Sequence, residues 1–280
     1  MEPEQAAGWL LRASAALTPG RGGSPAAAPP VPLALRPAPD GWVQVQQARA
    51  RTTSGGQLLR ALLDEPVHLR AADGDTTVEA AVGHLGQGAV DRPVVVVALA
   101  AALGSRPTPA GFRLAARALR LADRLDLAVV CLVDTPGAEP GAGAEDAGLA
   151  AALGEALDAL LLCRSPTLAL VHGEGGSGGA VALACADRVL VGTRAYCAPI
   201  GPEGASATLR LPPQECMRRM RVTPPDLLAA GFADALVSDE AIFASVSAQL
   251  EALRRQDRDE RLVARRRRWS APLAKDPRRP

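Results

Sequence analysis

The feature that most constrains this chain is a glycine-rich loop inside Pro166–Leu190, PTLALVHGEGGSGGAVALACADRVL. An apolar run, Thr167–Val171, precedes the loop, and a segment of small residues, Ala180–Ala186, follows it. This order predicts a strand, a tight loop and a helix. Glycines lack a Cβ atom, so a ligand can approach their N–H groups, and the N–H groups of a first helical turn have no partner within the helix. We therefore predict that the loop binds an anion or a developing oxyanion.

Three motifs overlap in this loop. Gly173, Gly175 and Gly178 match the dinucleotide-binding pattern G-x-G-x-x-G. However, the next strand ends in Gly192-Thr193-Arg194 and lacks the acidic residue that would bind a ribose. The pattern G-x-S-x-G around Ser177 is also present, but all three histidines precede it, whereas the hydrolase triad of that motif runs serine, acid, histidine. A backbone oxyanion hole without a side-chain nucleophile requires only the glycines, and we favour it.

Composition narrows the class of protein. A chain of 280 residues suits one large α/β domain, and 48% apolar but only 2% aromatic residues predict a core of Ala, Val and Leu. The net charge of +1 gives no argument for nucleic acid as a partner. The five cysteines never form C-x-x-C, which is typical of buried thiols in a reducing compartment. Because no secretory signal or membrane-length apolar run is apparent, we expect a cytoplasmic protein that does not enter the membrane.

Four segments are predicted along the chain. Residues 1–18 have apolar residues at helical spacing and predict an N-terminal helix, and residues 19–41 predict a Pro/Ala/Gly-rich linker. Residues 42–254 alternate apolar runs with amphipathic stretches, which indicates a parallel sheet with helical crossovers. Residues 255–280 contain the run Arg265–Arg268 and end in prolines, so we expect a basic, disordered tail.

Three loops are expected to meet at one edge of this sheet. Apolar runs predict buried strands at Val94–Val97 and Leu127–Val133. The loop Asp134–Ala144 follows the second of them, and Gly173–Gly179 follows the strand of the glycine-rich stretch. Ligands of parallel sheets bind where the carboxyl ends of strands meet the amino ends of helices. The two loops should therefore line one site, and Ala198–Ser206 should join them.

The chain resembles the carboxyltransferase α subunit of multi-subunit acetyl-CoA carboxylase, a family of the crotonase-like superfamily. The matching segments follow the family's order and nearly its spacing: PTPAGFRLAARALRLADRL (107–125), DTPGAEPGAGAED (134–146), GEGGSGGA (173–180), DRVLV (187–191) and PEGAS (202–206). The resemblance implies an α/β fold of the crotonase-like ββα superhelix type, here preceded by the N-terminal helix and linker. It also implies an obligate β-type partner subunit in a heterotetramer.

The resemblance implies a reaction as well. A carboxyl group would pass from carboxybiotin, held on a separate biotin carboxyl carrier protein, to the α-carbon of an acyl-CoA. Each subunit would supply one oxyanion hole, and on the α side the N–H groups of Gly178, Gly179 and Ala180 would serve biotin. No metal is expected in this chain. A biotin-independent acyl-CoA decarboxylase of the same fold and a non-catalytic partner subunit stay open as alternatives.

The matching loops also suggest which residues shape the pocket. The residues expected to bind biotin or substrate are Gly137, Ala138, Gly175, Gly176, Ser177, Glu203 and Gly204. The family's basic loop before residue 108 is shortened here, which leaves Arg106 as the candidate for a CoA phosphate. His172 is expected to be structural more than a general base. Glu174 is expected to steady the loop as a carboxylate at the start of a helix.

Overall fold

The computed structural model describes residues 40–86, 93–100 and 102–270. The predicted N-terminal helix and nearly all of the linker lie outside these ranges, as do residues 271–280. The strands are β1 (Leu63–Leu69), β2 (Val78–Leu85), β3 (Val94–Leu99), β4 (Ala128–Thr135), β5 (Thr167–Gly176), β6 (Arg188–Gly192), β7 (Tyr196–Ala198) and β8 (Ala235–Val237). The helices are α1 (Gly41–Arg49), α2 (Gly55–Leu62), α3 (Pro109–Leu125), α4 (Ala142–Asp146), α5 (Leu149–Leu162), α6 (Ser177–Ala184), α7 (Pro202–Leu209), α8 (Pro213–Met220), α9 (Pro224–Ala229), α10 (Ile242–Arg254) and α11 (Arg258–Ser270), with a 3₁₀ turn at Asp239–Ala241.

All eight strands form one sheet in the order β1-β2-β3-β4-β5-β6-β8, and β7 pairs with the end of β5. β1, β2 and β3 are antiparallel, whereas the pairs from β3 to β8 are parallel. Every residue of β3, β4 and β5 is buried. Such unbroken apolar runs are typical of parallel strands that are covered on both faces. The predicted parallel sheet with helical crossovers is therefore confirmed from β3 to β8, whereas β1 and β2 add an antiparallel edge that the sequence did not predict.

Helices cover both faces of the sheet. On one face, α3, α5 and α6 bury a core that includes Phe112, Leu119 and Leu183. On the other face, α2 and α10 bury a second core around Leu59 and Val246. A third, smaller cluster joins α1, β7, α7 and α8 beside the carboxyl end of β5. Alanine, valine and leucine fill most of this interior, as the composition predicted.

The prediction of a disordered tail from residue 255 is wrong for residues 258–270, which form α11. Arg265 on this helix has no exposed side-chain surface. Its guanidinium donates to both carboxylate oxygens of Asp187 over 2.7 and 2.6 Å, and to the carbonyl oxygens of Leu160, Cys163 and Ser165. The last carbonyl groups of a helix have no partner within it. The arginine bonds to one of these, that of Leu160, and to the carbonyl groups of Cys163 and Ser165 just beyond α5, so this part of the arginine-rich segment belongs to the core.

Further contacts fasten the end of α11. Arg268 donates to Asp234 over 2.8 Å and to the carbonyl oxygen of Phe232 over 2.7 Å. The Trp269 indole donates to the carbonyl oxygen of Ala186 over 2.9 Å and meets the Phe232 ring edge to face. We call α11 with these contacts the C-terminal clasp.

In the part of the chain that the structure describes, no helix is long and apolar enough to span a bilayer.

Candidate functional site

Two backbone turns touch at the carboxyl ends of the neighbouring parallel strands β4 and β5. A Cβ atom added at Gly176 would lie 2.3 Å from the Pro136 carbonyl oxygen, and one at Gly179 would lie 2.8 Å from the Ala138 nitrogen. Such distances exclude any side chain, so only glycine allows the turns to approach this closely. The structure therefore brings together the two loops that the sequence predicted to line one site.

The first turn, Pro136–Ala138, is held in place by Thr135. The buried Thr135 hydroxyl accepts the Gly137 N–H over 3.1 Å and donates to the Gly137 carbonyl oxygen over 2.9 Å. Gly137 has φ +138°, a conformation that residues with a side chain rarely adopt. The N–H group of Gly137 is thus occupied, and this residue shapes the pocket without offering a free donor.

The second turn is tighter than the sequence predicted, because β5 continues to Gly176 and α6 begins at the next residue. Ser177 forms the junction with φ +58°, a left-handed conformation that is uncommon outside glycine. The N–H groups of Gly178 and Gly179 lie in the first turn of α6 and have no partner within the helix. Ala180 is the first residue whose N–H can bond back to the turn. Apart from its chain neighbours and the backbone of its own helix, no atom of the described residues lies within 4 Å of a Cβ placed at Gly178, so the turn is open on that side.

Two charged side chains flank the turns. The Arg106 guanidinium donates a long bond of 3.4 Å to the Ala138 carbonyl oxygen and lies 3.6 Å from a Cβ placed at Gly137. A Cβ placed at Gly201 would lie 3.7 Å from the Pro136 carbonyl oxygen and 3.9 Å from a carboxylate oxygen of Glu203. The structure thus places Arg106 and Glu203 beside the same turn. The predicted contact of Arg106 with a CoA phosphate stays a prediction.

Two of the predicted pocket residues are packed against neighbouring protein atoms. Gly175 pairs with Thr135 on one side and Cys197 on the other, and its Cβ position lies 2.8 Å from the Tyr196 carbonyl oxygen. Gly204 faces the Ile200 side chain, 2.9 Å from its Cβ position. Both glycines permit close packing behind the pocket, in contrast to the open position at Gly178.

Sequence reasoning missed Arg49, which joins the two sides of the site. Its guanidinium donates to Glu174 over 3.0 Å and to both carboxylate oxygens of Glu203 over 2.8 and 3.1 Å. The Tyr196 hydroxyl donates to the same Glu174 oxygen over 2.7 Å. The hydrogen bond from Arg49 holds the pKa of Glu203 below its usual range. No local pattern marks this arginine, because its partners lie 125 and 154 residues away along the chain.

The expected role of Glu174 at the start of a helix is wrong. Glu174 lies within β5, three residues before α6 begins, and its carboxylate is engaged by Arg49 and Tyr196. Its own N–H donates to Asp134 over 2.8 Å. Burial raises the pKa of Asp134 to about 6, although this hydrogen bond opposes the shift. Glu174 therefore braces the end of β5 against α1 and β7.

His172 is fully buried, and its Nδ1 atom lies 3.3 Å from the Arg51 guanidinium. Arg51 also pairs with Asp239 over 3.1 Å. Burial, and secondarily the charge of Arg51, lowers the pKa of His172 to about 3. So weak a base accepts a proton poorly near neutral pH, which supports a structural role for His172.

Protonation of His172 is expected to destabilise the fold at acidic pH. The unfolded chain takes up this proton below pH 6.5, but the folded chain does so only near pH 3. As the pH is lowered from about 6.5 to about 3, the free energy of unfolding should therefore decrease, by up to about 1.4 kcal/mol per pH unit. Asp134 acts in the opposite direction between its folded pKa of about 6 and the ordinary 3.8 and offsets part of the loss.

Urea unfolding of the wild type and His172→Gln at several pH values tests this effect. The substitution removes the titrating group, so the variant should lose less stability than the wild type between about pH 7 and about pH 5. Equal losses in the two proteins would show that His172 does not govern the acid sensitivity.

The described part of the site offers backbone donors, and the cysteines are not activated as nucleophiles. All five cysteines are buried, and burial raises the pKa of Cys163 to about 11 and of Cys197 to about 12. Within the described ranges, no group of three or more His, Cys, Asp or Glu side chains is placed to hold a metal ion. What the arrangement can do chemically is to stabilise negative charge on an oxygen beside Gly178 and Gly179.

Known proteins resemble this chain in sequence. The family model "Acetyl co-enzyme A carboxylase carboxyltransferase-like" matches residues 99–269. "Acetyl-coenzyme A carboxylase carboxyl transferase subunits beta/alpha" of Salinispora tropica is 43% identical over 216 residues, which cover 72% of this chain and 38% of that protein. "Acetyl-coenzyme A carboxylase carboxyl transferase subunit alpha" of Rhodopseudomonas palustris is 40% identical over 177 residues, which cover 58% of this chain and 55% of that protein. The chain thus spans about half or less of the curated relatives it matches.

Solved structures share the fold. The transcarboxylase 12S hexamer core, with hydrolysed methylmalonyl-coenzyme A bound, matches with a TM-score of 0.66 at 20% identity, covering 91% of this chain and 51% of that one. The β subunit of geranyl-CoA carboxylase from P. aeruginosa matches with a TM-score of 0.62 at 17% identity, covering 74% and 42% of the two chains. The predicted crotonase-like α/β fold is confirmed.

Proposed function

Since the chain belongs to the acetyl co-enzyme A carboxylase carboxyltransferase-like family, we propose that it is the α-type carboxyltransferase subunit of a biotin-dependent acyl-CoA carboxylase. It would transfer the carboxyl group of carboxybiotin to the α-carbon of an acyl-CoA. The observation that carries this proposal is the contact between the turns Pro136–Ala138 and Gly176–Gly179, which sets the start of α6, whose first N–H groups have no partner within the helix, against the turn that follows β4. A reaction whose base comes with the cofactor needs no catalytic triad, which fits the site.

The residues present fit an anionic oxygen of biotin. When bound, biotin on its carrier supplies the carboxyl group and the basic nitrogen that removes the α-proton of the thioester. The N–H groups of Gly178 and Gly179 would hold the oxygen that gains negative charge, while that of Ala180 can bond back within α6, and the start of α6 adds the favourable end of its dipole. Glu203, fixed by Arg49, would form the far wall of the pocket.

A β-type partner subunit and a biotin carboxyl carrier protein are part of the proposal. The Salinispora relative carries both subunit types in its name, which supports a β-type subunit as the partner of this one. We further propose that residues 42–254, extended by the clasp, form the carboxyltransferase domain. A cytoplasmic location is supported by the five free, buried thiols.

The test is purification of this chain together with its candidate β-type partner, followed by an assay of malonyl-CoA decarboxylation with and without free biotin. This reaction is the reverse half of the proposed transfer. Turnover that depends on biotin would support the carboxyltransferase. Turnover at the same rate with and without biotin would favour the biotin-independent acyl-CoA decarboxylase. A stable complex that is inactive on a panel of carboxylated acyl-CoA compounds would favour a non-catalytic partner subunit.

A further inference from the structure

We propose that Arg106 is a specificity-determining residue that holds the migrating carboxylate while it is exchanged at the site. The proposal rests on the proposed function. It names a ligand for Arg106, whose side chain has no part in the proposed oxyanion hole of backbone N–H groups. The ligand is a carboxylate, either on biotin or on the malonyl-type acyl group. Arg106 would bind and orient it and would take no part in bond making.

The position of Arg106 carries the argument. One guanidinium nitrogen lies 3.6 Å from a Cβ placed at Gly137, and the Ser177 Cβ lies 3.8 Å from the same point. The guanidinium therefore borders the space between the two turns. Its hydrogen bond of 3.4 Å to the Ala138 carbonyl oxygen is long for a nitrogen donor. Most of its five N–H groups remain available to a ligand.

The charges around the site favour Arg106 over Arg49 as the receptor. Arg49 is engaged by two carboxylates, Glu174 and Glu203. Among the described residues, Arg106 has no ion pair within 4 Å, although its charge helps to lower the pKa of Glu203. An incoming carboxylate would be repelled by the Glu203 side and attracted by Arg106. A planar guanidinium also matches a carboxylate with two parallel hydrogen bonds.

A carboxylate fits this position better than a phosphate of CoA. The phosphates of CoA are separated from the thioester by the whole pantetheine arm. If the turns at Gly137 and Gly179 surround the reacting atoms, a guanidinium 3.6 Å from the Cβ position of Gly137 lies at the reacting end of the substrate. It cannot at the same time reach the far end of that arm.

The experiment uses the complex of this chain with its β-type partner and two substrates, malonyl-CoA and malonyl-pantetheine, which lacks every phosphate. In Arg106→Gln, kcat/KM should fall by about 10- to 100-fold on both substrates, because a charged, bidentate contact is lost in each. Arg106→Lys keeps the positive charge but lacks the two parallel N–H donors of the guanidinium. Its kcat/KM should lie between that of the wild type and that of Arg106→Gln. Arg267→Gln, a change at an exposed arginine of α11, should match the wild type. If Arg106→Gln lost kcat/KM on malonyl-CoA alone, the result would show a phosphate contact and overturn the proposal. Equal kcat/KM values for Arg106→Gln and the wild type would overturn it as well.

A binding measurement separates this inference from the proposed function. Biotin-dependent turnover of the wild type tests the proposed function, whereas calorimetric binding of malonyl-pantetheine and acetyl-pantetheine needs no turnover. The wild type should bind the malonyl compound more tightly than the acetyl compound. In Arg106→Gln, the ratio of the two dissociation constants should shrink by about 10-fold or more. If the wild type shows no preference for the carboxylated compound, or the variant retains it, Arg106 is not the carboxylate receptor.

Discussion

Gly179→Ala is expected to lower biotin-dependent turnover by about 10²–10³, the typical cost of losing one oxyanion-hole donor. The added methyl group would lie 2.8 Å from the Ala138 nitrogen and 3.2 Å from the Gly137 carbonyl carbon. Both are backbone atoms and cannot rotate away, so the two turns must separate. The N–H group of Gly179 would then miss the oxygen it is proposed to hold. Steady-state decarboxylation of malonyl-CoA by the complex measures the effect.

Gly154→Ala is the matched control, because it adds the same methyl group to an exposed position in α5. Apart from its chain neighbours and the backbone of its own helix, no atom of the described residues lies within 4 Å of that methyl position. The control should keep full activity and gain about 1 kcal/mol of stability from the better helix propensity of alanine. Full activity in Gly179→Ala, with the control behaving as stated, would contradict the oxyanion hole at this turn.

Arg265→Met, in the C-terminal clasp, is expected to be strongly destabilising. It removes hydrogen bonds to three carbonyl groups and leaves the buried Asp187 carboxylate without its bidentate partner. Removing one partner of a buried ion pair typically costs about 3–5 kcal/mol. Urea unfolding monitored by circular dichroism gives the change in the free energy of unfolding. We expect Arg265→Lys to recover little of it, since one ammonium group cannot bond to a carboxylate and three carbonyl groups at once.

The neighbouring Arg266 provides the comparison, because it is exposed on the same helix. Arg266→Gln should change the free energy of unfolding by no more than about 0.5 kcal/mol. If Arg265→Met were equally mild, α11 would be a dispensable appendage and the burial of its arginines would carry no stability.

The sequence predicts the parts of the fold whose signals are local. Strand β3 and the first parts of β4 and β5 are apolar runs, and the glycine-rich loop marks the site because close backbone contact permits no other residue. The strand β2 has no such signal. In its sequence, VEAAVGHL, alanines and a glycine blur the alternation of apolar and polar residues, and alanine is uncommon in strands. Its pairing with β3 supplies what local propensity does not.

The pairing of charged side chains, in contrast, could not be predicted from the sequence. A run of arginines is usually solvated, and nothing within Arg265–Arg268 distinguishes the buried side chains from the exposed ones. The difference arises from Asp187 and from the carbonyl groups at the end of α5, which the fold brings to α11 from distant parts of the chain. Arg49 is similar, since its two carboxylate partners are adjacent only in the folded protein. Pairings of this kind are properties of the fold and leave no mark in a single sequence.

The clasp has a consequence for how the protein is made. Asp187 is translated 78 residues before Arg265, its principal partner. At about 5–20 residues per second, the ribosome needs roughly 4–16 s to cover that distance. During this interval the nascent chain can form β4 and β5 but holds a carboxylate without its main counter-charge. The last step of folding is therefore tied to the late arrival of α11, and the incomplete domain should be a client of ribosome-associated chaperones.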